Sequence, residues 1–138
     1  MKDITRQWLE LAFLDLESIS RLIIDERLTN QVAFHAQQAI EKSLKAILEE
    51  FGEKVPRIHS LSKLFDLCSD YIRIDADEEI VIALDSLYTE SRYPGDNGLL
   101  PEGKPSLKQV QLFLHFSQFV YKEISMYLNG NTSTVADL

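Results

Sequence analysis

Phe34-His35-Ala36-Gln37-Gln38-Ala39-Ile40-Glu41-Lys42-Ser43-Leu44-Lys45-Ala46-Ile47-Leu48 is the stretch that decides the fold. Apolar residues recur at helical spacing through Ala33, Ala36, Ile40, Leu44, Ile47 and Phe51, and so draw an oily stripe along one side of a helix. The other side is not a generic mixture of Glu and Lys. His35, Gln38 and Lys42 follow at intervals of three and four residues, which stacks them in one row. An imidazole, an amide and an ammonium in a single row can meet one ligand or one partner. The plainer account of the same residues is a solvated face on which Glu41 pairs with Lys45 four positions on, in the favourable order.

Helical period extends outward from this stretch in both directions. A first helix is expected from about Asp3 to Glu26, with Trp8, Leu11, Ala12, Asp15, Ile19, Leu22 and Ile23 on its inner side and Asp15 as the polar interruption. Thr29-Asn30 offers an N-cap for the second helix, and Gly52 offers its C-terminal stop. Ser60 can cap a short helix from Leu61 to about Tyr71. Asp75-Ala76-Asp77-Glu78 has capping-box spacing and opens a helix running to about Ser91. Residues 92–105 hold three Pro and three Gly in fourteen positions, which rules out a regular element there. Ser106-Leu107-Lys108-Gln109 is a second capping-box pattern, opening a last helix to about Leu128. These elements predict an all-α protein: an up-and-down antiparallel four-helix bundle with one short additional helix. The last helix is apolar over a wide arc, so a second buried face is expected, shared with another copy or with a partner subunit.

Composition bounds the function. A chain of 138 residues, 45% hydrophobic, suits a single domain over 1–130 followed by a small polar tail, 131–138, expected to be disordered. Cys68 is the only cysteine, which fits a reducing, cytoplasmic setting and excludes a Cys-based zinc site. The three histidines lie far apart, and none makes a Glu-x-x-His pattern, so no metal or other cofactor is expected. The most apolar long stretch, Val110 to Leu128, contains Gln111, His115, Gln118, Lys122 and Glu123, and a membrane span is therefore not expected. The formal charge of −8 argues against tight binding of long nucleic acid through the whole surface.

Several of these residues together resemble one family. Trp8, Ala12 and Asp15-Leu16 are followed by the run from His35 to Ala46, then by His59-Ser60-Leu61, Leu87-Tyr88 and the turn Ser91-Arg92-Tyr93-Pro94. This set, spread over about Ile4 to Leu128, resembles the HEPN domain, the all-helical "higher eukaryotes and prokaryotes nucleotide-binding" family. The resemblance implies helical bundles that commonly dimerise. It also implies work beside a minimal nucleotidyltransferase, in some cases as a toxin and antitoxin pair. Many family members are metal-independent RNases that carry an Arg, four to six residues, then a His at the start of the last long helix. This chain departs from that pattern. After Arg92 the next His is His115, twenty-three positions on, and Gly95, Asp96, Asn97 and Gly98 stand where a catalytic His would follow. Cleavage through a 2′-OH needs a group that exchanges protons near neutral pH beside a cation. Arg92 supplies the cation without a local His.

The expected function is therefore a non-catalytic subunit that binds nucleotide or substrate, forms a homodimer and associates with a nucleotidyltransferase. The alternatives are an RNase toxin that brings Arg92 to His35 or His59 in space, and a purely structural dimerisation module. No catalytic residue is assigned. The candidate ligand- or partner-binding residues are His35, Gln38, Lys42, Lys45, His59, Arg92 and Tyr93. Lys42 would offer charge to a phosphate, Gln38 hydrogen bonds to a base or backbone edge, and Arg92 an anion contact.

Overall fold

Helix α2, Thr29–Phe51, is the axle of the molecule: the other four helices all pack against it. They are α1 (Asp3–Leu22), α3 (Leu61–Cys68), α4 (Glu78–Glu90) and α5 (Leu107–Leu128), and no strand occurs among the described residues. The computed structural model describes residues 1–52, 54–90 and 104–130, with Glu90 described in its backbone alone. The expected turn after α4, with Arg92 and Tyr93, and the expected tail both lie outside the described residues.

The α2 stripe is buried as its spacing requires. Ala36, Ile40, Leu44 and Ile47 are inaccessible to solvent and meet Ile19 of α1, Leu61 and Leu64 of α3, Leu84 of α4, and Val110, Val120 and Ile124 of α5 in one core. Truncating a buried Leu or Ile of this kind to Ala typically costs about 2–5 kcal/mol. Phe51, expected on the stripe, lies instead at its exposed end, where it stacks on Tyr71 at 5.7 Å and meets Tyr127 at 5.8 Å.

α1 and α2 run antiparallel. The start of α1 is clasped to the end of α2 by the Lys2 amide and the Thr5 hydroxyl, which both donate to Glu50 Oε1 at 2.9 Å, and by the Trp8 indole, which donates to Glu49 Oε1 at 3.1 Å. Leu11 is exposed, not inward as expected, and Thr5 and Leu9 take inner positions instead.

Element ends show which local signals prevailed. Ser60 caps α3 through Lys63 N, and Ser106 and Gln109 close a reciprocal capping box on α5. At α4 the cap is Asp77, whose Oδ1 accepts from Glu79 N and Ile80 N; Asp75, two residues earlier, is not the cap. α1 stops at Leu22, four residues short of the expected end. Asp25 there accepts from the Arg27 amide, and a 3-10 turn over Glu26–Leu28 leads straight into α2. That lead-in places Thr29 inside the helix with Leu28 at the cap position, so Thr29 and Asn30 do not cap. The Thr29 hydroxyl is buried without a partner among the described residues. α3 ends at Cys68, and its chain turns on through Tyr71 N and Ile72 N to Cys68 O. Gly52 follows α2 as its C-cap with an extended backbone, not as a left-handed stop, and glycine suits the position because an added Cβ would lie 2.8 Å from Leu48 O.

Candidate functional site

Two buried carboxylates organise the polar side of α2. The first is Asp15, whose side chain is 9% exposed at the middle of α1. Burial of an unpaired carboxylate is costly, so it must be matched. α2 supplies the match from two residues on one face: His35 Nδ1 lies 2.8 Å from Asp15 Oδ1, and Lys42 Nζ lies 2.8 Å from Asp15 Oδ2. The interruption in the α1 stripe is thus a second tie between the two helices, at their middle.

The second carboxylate is Glu41, 5% exposed. Its Oε2 accepts from Lys45 Nζ at 2.8 Å, and Lys45, 7% exposed, lies 5.9 Å over the Trp8 ring. Its Oε1 accepts from Gln37 Nε2 at 3.1 Å, and both oxygens stand 3.1 Å from His59 Nδ1. Gln37 is fully buried and also donates to the His59 carbonyl at 2.8 Å, while its Oε1 accepts from Gln38 Nε2 at 2.8 Å. The Glu41–Lys45 pair at i,i+4 therefore exists as the spacing suggests, but as a buried ion pair and not as a solvated one.

His59 reaches Glu41 because α4 holds the start of α3. Asp85 Oδ1 accepts from Leu61 N at 2.8 Å and its Oδ2 from Ser62 N at 3.3 Å, capping α3 from another helix. A row of rings joins the two imidazoles. Phe34 stands edge-on to His35 at 5.5 Å and stacks on Tyr88 at 5.8 Å, and Tyr88 meets His59 at 5.1 Å.

Five candidate residues thus fall into one connected system. His35 and Lys42 share Asp15, and Gln38, Lys45 and His59 converge on Glu41. Arg92 and Tyr93 lie outside the described residues. His115 is exposed on α5. Asp15, Gln37 and Glu41 are the members whose central part only the structure shows. The available signal was an acid inside an apolar stripe, which demands a partner that helical period alone does not name.

Elsewhere the chemistry is quiet. Cys68 is buried, its Sγ donates to Leu44 O at 3.3 Å, and burial pushes its thiol up to about 12. Among the described residues no group of three or more His, Cys, Asp or Glu could hold a metal ion, and no helix is long and apolar enough to cross a membrane. A groove of about 580 Å³ runs between α1 and α5, lined by Leu9, Phe13, Leu14 and Tyr121, and no candidate residue lines it.

Comparison with known proteins adds the family. Residues 5–124 match the HEPN domain. The chain belongs to the HEPN family. The resemblance carried by the His35–Ala46 run and the Leu87-Tyr88 pair is therefore correct. The HEPN chain is also similar to a solved structure, TT1696 from Thermus thermophilus, at 27% identity and a TM-score of 0.67, over 90% of this chain and 98% of that one. No curated protein matches this sequence.

Proposed function

We propose that this HEPN protein is a non-catalytic binding subunit that dimerises and serves a nucleotidyltransferase-type partner by holding a nucleotide or substrate. We infer a toxin–antitoxin pair as one setting for that partnership. The reading takes the helices as an up-and-down bundle, α3 being the short extra member. The observation that carries it is the half-buried strip of His35, Gln38 and Lys42 on α2. A merely solvated face would leave such side chains loose. Here they are fixed by Asp15 and Glu41, which is the preorganisation a recognition surface needs.

Support for a dimer comes from α5. Leu112, Phe119 and Met126 are all exposed at seven-residue spacing, a second apolar seam on a helix whose other side already fills the core. Calorimetric titration with ATP and sedimentation of the purified protein test the two parts separately. The reading expects saturable binding, weakened by His35→Ala, and a dimer weakened by Phe119→Glu. A monomer without nucleotide affinity would contradict both.

The RNase reading retains one specific support. His35 and His59 each have Nδ1 on a carboxylate, the arrangement that orients an imidazole as a general base. RNA degradation lost in both Arg92→Ala and His35→Ala would favour that reading over a binding subunit.

A further inference from the structure

The hydrogen-bond directions along the strip can be worked out from the two buried carboxylates. An ionised carboxylate only accepts. Asp15 Oδ1 therefore takes the proton of His35 Nδ1, and Glu41 takes that of His59 Nδ1. In the neutral ring this leaves a lone pair on Nε2 of each histidine. Gln37 Nε2 faces two acceptors, Glu41 Oε1 and the His59 carbonyl, which fixes the orientation of that amide. Its Oε1 must then take a donor, and Gln38 Nε2 supplies it. Gln38 Nε2 also points to Glu41 Oε1 at 3.4 Å, so the atom Gln38 has left over is its Oε1 acceptor.

The charge on the strip is committed in the same way. Lys42 and Lys45 each lie 2.8 Å from a buried carboxylate oxygen. Lys42 keeps further N–H groups, but its charge is offset by Asp15; among the described residues the other atoms the strip leaves for a ligand are His35 Nε2, Gln38 Oε1 and His59 Nε2, three acceptors when the rings are neutral. The two imidazoles are 27% and 55% exposed, so both can be reached. A phosphate finds no donor on these three atoms and no uncompensated positive charge at Lys42 or Lys45, and it meets the Asp15 and Glu41 carboxylates behind them.

We propose that the strip recognises the uncharged, donor-bearing part of its ligand, the amino and hydroxyl groups of a nucleoside, and not the phosphates. This rests on reading the strip as a nucleotide site, and it reverses the part that Lys42 alone suggests. Asp15 acts as a positioning residue: it holds the His35 tautomer and offsets the Lys42 charge.

Adenosine, ATP and sodium tripolyphosphate, each titrated into the wild-type protein and followed by calorimetry, separate the possibilities. The expected result is that adenosine and ATP bind with Kd values within about threefold of each other, less than one tenfold step of affinity, and that tripolyphosphate does not displace ATP. Asp15→Asn, nearly isosteric, frees Lys42, and the folded variant is expected to gain tripolyphosphate binding. Nitrogen-15 shifts of the His35 ring should show Nδ1 protonated in the wild type and a mixture of tautomers in the variant. Tripolyphosphate competing with ATP while adenosine fails to bind would overturn this inference and leave nucleotide binding standing. Binding of none of the three would remove both. The wild-type series decides the matter whether or not the variant folds.

Discussion

Removing the Glu41 carboxylate should be among the most damaging single changes in this protein. Glu41→Ala removes the carboxylate that the Lys45 ammonium, 7% exposed and 5.9 Å over the Trp8 ring, is paired with. Breaking a buried pair by deleting one partner costs about 3–5 kcal/mol, chiefly because an uncompensated charge remains. The bonds to Gln37 and His59 go as well, although Gln37 keeps the His59 carbonyl and the exposed His59 ring can turn to water. For a chain of this size, at about 3 °C per kcal/mol, the melting temperature should fall by roughly 10–15 °C. Urea titration read by circular dichroism gives the free energy, with an unchanged slope showing that the denatured state is not what moved. The companion variant is Glu41→Leu with Lys45→Met, which removes both charges and keeps the volume. It should return to within about 2 kcal/mol of the wild type, since apolar replacement of a buried pair is often neutral or better. A loss under about 1 kcal/mol in Glu41→Ala, the scale of an exposed pair, would refute the reasoning. So would a double variant no more stable than the single one.

Other expectations are independent of that pair. Asp85→Ala removes the acceptor for the first two amides of α3 and should cost about 1–2 kcal/mol, the scale of a lost cap; proton NMR should show the His59 ring signals shifting as its anchor loosens. The Lys2 amide and the Thr5 hydroxyl hold the Glu50 carboxyl below its ordinary 4.5, against the opposing effect of burial. A depressed folded-state value means this stabilisation is complete above the unfolded value near 4.5 and fades as the pH falls below it. Denaturant melts from pH 7 down to pH 3 should therefore lose part of their steepness with pH in Glu50→Gln. The Cys68 thiol, pushed up to about 12 and buried, should resist a disulfide reagent in the folded protein and react fully in urea, so its labelling rate reports opening of the core around Leu44.

The sequence is most legible where a physical cause is local. Ser60 and Ser106 sit three residues before the amides they cap, and both caps form. The 3.6-residue period of Ala36, Ile40, Leu44 and Ile47 leaves one orientation for α2, and that is the one observed. Local cues failed where two of them competed. Thr29 and Asn30 are good caps in isolation, but the Asp25-anchored 3-10 turn carries the chain into the helix before they are reached. Asp75 has the spacing of a box, yet Asp77 lies nearer the first free amides. The site was legible only as a row of residue types on one helix face. Its partners come from 20 and 27 positions away for Asp15, and from 18 for His59 on Glu41, separations that no periodicity encodes. Asp85, which positions His59 from a different helix, carries no signal in the chain beyond being acidic.

We propose that the α2 strip, held by Asp15 and Glu41, is where this HEPN protein meets its ligand. Side-chain NMR during an ATP titration tests it most directly. Saturable shifts of the His35 and His59 ring signals and of the Gln38 amide are expected, with Phe13 and Tyr121 in the α1–α5 groove unmoved. Shifts confined to that groove, or an unperturbed strip at saturating ATP, would contradict it.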